Sequence, residues 1–126
     1  MMLLFCTFTT PQGIAASEGF KTPSGNIACE VYDDILRCDL QENMAKTPKA
    51  PVNCELDWGN MFTLSLQGKG KRLCAGDTVF GHQKTLAYGK TWKNKGFVCV
   101  SAATGLTCKN RKNHGWTLNK RAQKLF

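Results

Sequence analysis

No run of apolar residues in this sequence reaches the roughly 20 residues that a membrane-spanning helix requires. The composition therefore gives no indication of a transmembrane helix. Charged residues make up 21% and hydrophobic residues 42% of the 126 residues, a balance that excludes the polar, highly charged composition of a disordered chain. A chain of this length is typical of one folded domain.

Histidine is scarce, since His82 and His114 are the only two. The cysteines also lack the short paired spacings of zinc sites, so we expect neither a metal nor another cofactor. A small basic secreted protein can cleave RNA when one imidazole removes a proton, another donates one and a lysine stabilises the developing charge. His82 and His114 are the candidates for that alternative. The other interpretation is a surface His82 and a structural His114 before Gly115. No spacing rule supports catalysis, so a non-enzymatic role is favoured.

Cysteine, by contrast, is abundant, with seven residues. Cys6 lies in the apolar N-terminal run of residues 1–8, and Ala15, Ala16 and Ser17 follow before Glu18. This order predicts a signal peptide over residues 1–17, with residues 18–126 as the mature domain, secreted or periplasmic. Cleavage after Ser17 leaves six cysteines, an even number that suits an oxidising compartment. No Lys or Arg precedes Lys21, which is atypical of a signal. A disordered tail or N-terminal strand of a cytosolic protein is the alternative, whereas the bulky Phe5 before Cys6 argues against a lipoprotein cysteine.

Residues 27–40 predict a β-hairpin together with its register. A two-residue turn at Asp33 and Asp34 places Cys29 opposite Cys38 and Glu30 opposite Arg37. Because side chains alternate faces along a strand, this turn also collects the apolar residues on one face. The hairpin is therefore expected to carry a cross-strand disulfide and a Glu30–Arg37 ion pair.

The same cysteine spacing recurs at Cys99 and Cys108, where Gly105 would supply the positive φ of a four-residue loop. Residues 61–67 alternate as a half-buried strand, and residues 71–75 return after a turn. Six cysteines can pair in fifteen ways, but two local disulfides leave Cys54 for Cys74. The fold class expected is mainly β: a small antiparallel sheet or barrel-like domain of hairpins stapled by three disulfides. A short C-terminal helix is also possible, from the spacing of Leu118, Ala122, Leu125 and Phe126.

Several blocks of residues follow one another in a characteristic order. The first block is Phe20-Lys21-Thr22-Pro23-Ser24-Gly25-Asn26-Ile27-Ala28-Cys29. The later blocks are Trp58-Gly59, Cys74-Ala75-Gly76-Asp77-Thr78, Leu86-Ala87-Tyr88-Gly89, Gly105-Leu106-Thr107-Cys108-Lys109-Asn110 and His114-Gly115-Trp116. Together these blocks resemble a domain-of-unknown-function family of small exported bacterial proteins. The similarity covers about residues 20–126, although the family more often has Phe where Trp116 stands. It implies export and a cysteine-stapled fold, and it transfers no catalytic residue.

Charge is distributed unevenly along the chain. The first 77 residues hold seven basic and nine acidic residues, whereas ten basic residues and no Asp or Glu follow. Such asymmetry predicts a positive field over part of the surface, suited to an anionic polymer, a lipid headgroup or an acidic protein. The candidate binding residues are Lys109, Arg111, Lys112, Trp116, Lys120 and Arg121, with Trp92 and Trp116 as stacking surfaces.

The alternative is a solubilising basic surface with both tryptophans in the core. Asp77, which follows Gly76, is expected to cap a turn through its side chain. The favoured function is a non-enzymatic binding module for an anionic partner. The alternatives are a secreted ribonuclease-like hydrolase and a structural envelope protein without a ligand.

Overall fold

A computed structural model describes residues 18–126, which form two antiparallel sheets of five strands each. The predicted signal segment, residues 1–17, lies outside the described residues. In each sheet, strands that follow one another in the chain are neighbours, so hairpins alone build both sheets. The first sheet contains β1 (Gly19–Lys21), β2 (Ile27–Tyr32), β3 (Ile35–Leu40), β4 (Met61–Leu64) and β5 (Lys71–Arg72). The second contains β6 (Thr91–Asn94), β7 (Phe97–Ala102), β8 (Gly105–Lys109), β9 (Gly115–Leu118) and β10 (Gln123–Leu125).

The predicted register of the first hairpin is confirmed. Asp33 and Asp34 form its turn with φ values of 48° and 59°, the left-handed conformation that Asp tolerates. Cys29 pairs with Cys38 across β2 and β3, and the two form a disulfide. The disulfides Cys54–Cys74 and Cys99–Cys108 are also present, so the mainly β, three-disulfide fold is confirmed.

Each sheet carries the same row of inward side chains across four strands. The order of the row is aromatic, cysteine, cysteine, aromatic: Phe20, Cys29, Cys38 and Phe62 in the first sheet, and Trp92, Cys99, Cys108 and Trp116 in the second. The aromatic ends of the two rows touch, with ring centroids 5.1 Å apart for Phe20–Trp92 and 6.1 Å apart for Phe62–Trp116. The sheets therefore stack with β1 against β6 and β4 against β9, and the two cross-strand disulfides lie in the core between them.

The second hairpin differs from its prediction at the turn. Ala102 pairs with Gly105, so Ala103 and Thr104 form a two-residue turn and the expected four-residue loop is wrong. Gly105 has a φ of 148°, and a Cβ there would lie 2.9 Å from the Leu118 carbonyl oxygen. Alternation along β7 is regular and leaves Val98 and Val100 facing outward.

The C-terminal segment is a strand, so the predicted helix is wrong. Asn119 Oδ1 accepts hydrogen bonds from the backbone N–H groups of Arg121 and Ala122, and Asn119 N–H donates to the Ala122 carbonyl. These bonds turn the chain back, and β10 pairs with β9. The apolar residues from Leu118 to Phe126 have a helix-like spacing because the turn of residues 119–122 separates the apolar residues of two short strands.

Candidate functional site

The outer faces of the two sheets differ in what covers them. The crossover segment, residues 75–89, hydrogen-bonds to the first sheet at Lys21, Glu30 and Asp39. The exposed side chains that face outward from the second sheet include those of Lys93, Val98, Val100 and Lys109. The second sheet thus presents an open face of lysine and valine side chains.

Lys93 and Lys109 belong to one row on this open face. Lys93 lies opposite Val98, and Val98 lies opposite Lys109. Because neighbouring strands are about 4.8 Å apart, the two lysines are separated by roughly 10 Å at the backbone. They stand on the same side of the sheet.

Two turns bring further cations to one end of this row. β6 and β8 run in the same direction, so the β6–β7 turn and the β8–β9 turn lie at the same end of the sheet. Lys95 lies in the first turn, and Arg111 and Lys112 lie in the second. We call Lys93, Lys95, Lys109, Arg111 and Lys112 the basic cluster; all five are exposed, and residues 78–126 contain no Asp or Glu.

Asn110 fixes the β8–β9 turn. Its Nδ2 group donates to the carbonyl oxygens of Ser65 at 2.9 Å and Gly68 at 2.8 Å. Its Oδ1 accepts from the backbone N–H groups of Lys112 and His114. The buried amide therefore uses its full hydrogen-bonding capacity, and it ties the turn that carries Arg111 and Lys112 to the first sheet. The sequence did not predict this role. An Asn that follows a strand indicates only the local hydrogen bonds, in which its side chain accepts from nearby backbone N–H groups.

The six predicted binding residues are not brought together. Lys109, Arg111 and Lys112 belong to the basic cluster. Lys120 and Arg121 lie in the β9–β10 turn at the other end of β9, where Lys120 Nζ is 4.0 Å from Glu42 Oε1. Trp116 is fully buried and Trp92 is 7% exposed, so both belong to the core and neither offers a stacking surface.

The two histidines lie beside different parts of the fold. His82 is exposed in the crossover segment, whose neighbouring residue Gln83 donates to Glu30 on β2. His114 is half-buried in the β8–β9 turn. Asn110 of that turn donates a hydrogen bond to the carbonyl oxygen of Ser65, the residue that follows β4. These contacts of the described residues therefore place the two imidazoles beside different elements and do not bring them into one site.

A buried charge network joins the crossover segment to the outer face of β3. Arg37 and Asp39 are almost fully buried, and Arg37 Nε and Nη2 donate to the Asp39 carboxylate at 2.8 and 3.0 Å. Arg37 Nη1 donates to Asp77 Oδ1 at 2.9 Å, although the Asp77 side chain is 79% exposed. Asp39 Oδ2 also accepts from the Thr78 hydroxyl and from Val79 N–H. The network fastens residues 77–79 onto the first sheet.

This network corrects two expectations. Glu30 lies opposite Arg37 as predicted, but Arg37 pairs with Asp39 and Asp77, and Glu30 accepts a hydrogen bond from Gln83. The Asp77 carboxylate therefore binds Arg37, where a turn cap was expected.

The network also shifts two pKa values. Burial alone lowers the pKa of Arg37, but hydrogen bonds to Asp39 and Asp77 outweigh it, so the net pKa is raised. The hydrogen bond from Arg37, followed by its positive charge, lowers the pKa of Asp77.

The described residues also form two open recesses. One, of about 510 Å³, lies beside the charge network and is lined by Asp57, Trp58, Asp77 and Phe80 among others. The other, of about 580 Å³, opens between the sheets near Ile27, Leu106 and Lys120. Within residues 18–126, no group of three or more His, Cys, Asp or Glu is placed to hold a metal ion, and no helix has the length and hydropathy to cross a membrane.

Comparison with known proteins identifies a family and nothing more specific. A family of unknown function, DUF6636, matches residues 2–126. No curated protein and no solved structure matches the chain. Since the match spans nearly the whole sequence, the chain belongs to the DUF6636 family, a family of unknown function.

Proposed function

We propose that this protein is an exported domain that binds an anionic polymer at or outside the cell envelope through the basic cluster. The observation that carries the proposal is the meeting of five exposed cations on one face and end of the second sheet, within residues 78–126, which contain no acidic residue. Such a field attracts polyanions and raises the rate of their association.

The spacing of the cations favours a polymer over a small anion. Lys93 and Lys109 are about 10 Å apart at the backbone, so one small anion does not readily contact both. Exposed ion pairs are individually weak, about 0.2–1 kcal/mol each. An extended polyanion engages several cations at once and releases its condensed counterions. The cluster is therefore suited to many weak contacts along a chain.

Export is the second part of the proposal, and two observations support it. All six cysteines of residues 18–126 are paired, and disulfides persist in oxidising compartments. The segment ending at Ser17 has the order of a signal peptide.

We expect N-terminal sequencing of the protein from its native host to begin near Glu18. Recovery of an intact Met1 in the cytoplasmic fraction would contradict export.

Two matched triple variants test the binding surface. Replacing Lys109, Arg111 and Lys112 with glutamine is expected to weaken binding to polyphosphate about tenfold or more, because it removes three adjacent contacts. The control replaces Lys90, Lys120 and Arg121, which removes the same charge outside the basic cluster. Both variants should keep the wild-type melting temperature, since exposed substitutions usually cost little stability. Equal loss of affinity in the two variants would show that only net charge matters and would reject the basic cluster as the site.

A further inference from the structure

We infer that the recess beside the charge network binds a primary ammonium group, such as that of a lysine side chain or of an amino sugar. We call it the acidic recess; the lining residues that matter here are Asp57, Trp58, Asp77 and Phe80. The recess lies against the first sheet, whereas the basic cluster lies on the second. It is therefore a second site, with a ligand of opposite charge, and it does not depend on the proposed function.

The lining of the acidic recess is negative although the chain as a whole is positive. Among the described residues that line it, Asp39, Asp57 and Asp77 are acidic and none is Lys, Arg or His. The chain has a formal net charge of +8. The buried Arg37 guanidinium binds both Asp39 and Asp77 and offsets one of the three charges. Its hydrogen bond also lowers the pKa of Asp77, so that exposed carboxylate stays charged at neutral pH.

The segments that form the acidic recess are fixed in position. Asp57 and Ala75 exchange two backbone hydrogen bonds of 3.1 Å each. The disulfide Cys54–Cys74 joins the same two segments. The charge network fastens residues 77–79 to β3. Because the backbone is already positioned, binding has less conformational entropy to remove.

Two aromatic side chains contribute apolar surface to the acidic recess. Trp58 and Phe80 are both half-buried, and Trp58 Nε1 donates to the Pro48 carbonyl at 2.9 Å, which fixes the indole orientation. The face of an aromatic ring attracts an ammonium cation within about 6 Å of its centroid. Lys21 Nζ, which is not part of the lining, lies 5.9 Å from the Phe80 centroid, so this ring already contacts one ammonium group.

The free carboxylate of the acidic recess favours a ligand that donates hydrogen bonds. Within residues 18–126 the Asp57 side chain has no ion-pair partner. An ionised carboxylate only accepts hydrogen bonds, and a primary ammonium group supplies three donors and no acceptor. Such charge-assisted bonds are stronger than those of a neutral hydroxyl group. A quaternary ammonium group has the charge but no N–H donor, so it satisfies the rings and not the carboxylate.

The size of the acidic recess suits a small ligand or one side chain of a larger one. Its volume of about 510 Å³ falls within the range of small-molecule sites, about 300–1,000 Å³. The carbon frame of a lysine side chain or of an amino sugar has apolar C–H surface for the rings. The same recess therefore holds both parts of such a ligand, the ammonium group and the apolar frame.

The test compares four probes by NMR titration slightly below neutral pH. Glucosamine and a Gly-Lys-Gly peptide with blocked ends carry a primary ammonium group, N-acetylglucosamine has the sugar frame without the charge, and tetramethylammonium has the charge without a donor. The indole N–H resonance of Trp58 reports on the recess, because Trp92 and Trp116 are buried in the core. We expect glucosamine or the peptide to bind about fivefold or more tightly than the other two probes. Whichever of the two binds more tightly identifies the source of the ammonium group.

Two matched variants locate the binding. Asp57→Asn should weaken ammonium binding about threefold or more. Glu55→Gln removes the same charge from an exposed neighbour that does not line the recess, and it should leave the affinity unchanged. Phe80→Leu, which keeps an apolar side chain and removes the ring, should weaken binding about twofold or more. Asp57→Asn changes an exposed side chain, so the test holds even where Phe80→Leu disturbs the crossover segment.

Equal affinity for glucosamine and N-acetylglucosamine would overturn the ammonium site and indicate a recess for neutral sugars. Equal weakening by Asp57→Asn and Glu55→Gln would overturn it as well, since overall charge would then explain the binding. Failure of glucosamine and of the peptide to shift the Trp58 resonance would also overturn it. None of these results bears on the basic cluster, whose test uses a polyanion.

Discussion

Replacing both Cys29 and Cys38 with alanine should destabilise the domain by roughly 4–5 kcal/mol, more than replacing both Cys54 and Cys74. Chain entropy alone predicts the opposite order. It assigns about 2.7 kcal/mol to the disulfide with a sequence separation of 9 and about 3.3 kcal/mol to the one with a separation of 20.

Packing reverses this order. Cys29 and Cys38 are fully buried between the sheets, so loss of their sulfur atoms adds a cavity cost of about 1–2 kcal/mol. Cys54 and Cys74 are only half-buried, and solvent or local collapse fills the space that their sulfur atoms leave.

Urea unfolding of the two double variants, without reductant, measures the difference. The matched control replaces both Cys99 and Cys108, which occupy the corresponding place in the second sheet and have the same sequence separation. We expect that variant to lose about as much stability as the Cys29 and Cys38 variant. A larger loss of stability for the Cys54 and Cys74 variant would mean that loop-closure entropy dominates. The two disulfides in the core would then add little stability through packing.

Arg37→Met should destabilise the fold by about 3–5 kcal/mol. Methionine replaces the length of the side chain but leaves the Asp39 carboxylate buried without its cation. The remaining partners of that carboxylate, the Thr78 hydroxyl and Val79 N–H, do not neutralise its charge. Chemical denaturation of the variant at neutral pH gives the loss of stability.

Asp77→Asn is the control for Arg37→Met, because it alters the same network at an exposed position. A lowered pKa means that the Asp77 carboxylate stabilises the folded state above its ordinary pKa of 3.8. This contribution is lost as the pH falls through the depressed folded pKa, so wild type and Asp77→Asn should converge in acid. The raised pKa of Arg37 adds no pH dependence near neutrality, since the group stays charged when unfolded. A free energy of unfolding for Arg37→Met that lies within 1 kcal/mol of the wild-type value would contradict this account of the network.

The first hairpin could be predicted from sequence because its determinants are local. Asp33 and Asp34 tolerate the turn conformation, side chains alternate along both strands, and the cysteines coincide in the resulting register. The Cys99–Cys108 disulfide follows from the same spacing. Sequence does not define the turn of that second hairpin, because Gly105 is compatible with a four-residue loop as well as with the first position of β8.

The features that sequence could not supply depend on distant contacts. Arg37 is on the polar side of β3, and its partner Asp77 lies forty positions later in the chain. The role of Asn110 depends likewise on Ser65 and Gly68. Charge asymmetry pointed to Lys109, Arg111 and Lys112, but only strand direction shows that Lys120 and Arg121 lie at the other end of β9. The linear sequence predicts Trp116 as a binding residue because cations surround it, whereas alternation along β9 turns its side chain into the core.

A salt titration of polyphosphate binding to residues 18–126, with the three disulfides formed, tests the central claim most directly. Surface charges are screened over about 8 Å at physiological ionic strength, and contacts with a polyanion release counterions. Binding through the basic cluster therefore predicts that the logarithm of the association constant falls linearly with the logarithm of salt concentration. The slope should become shallower when Lys109, Arg111 and Lys112 are replaced. An association constant that does not change between dilute buffer and high salt would contradict the account, because the contacts would then have to be apolar.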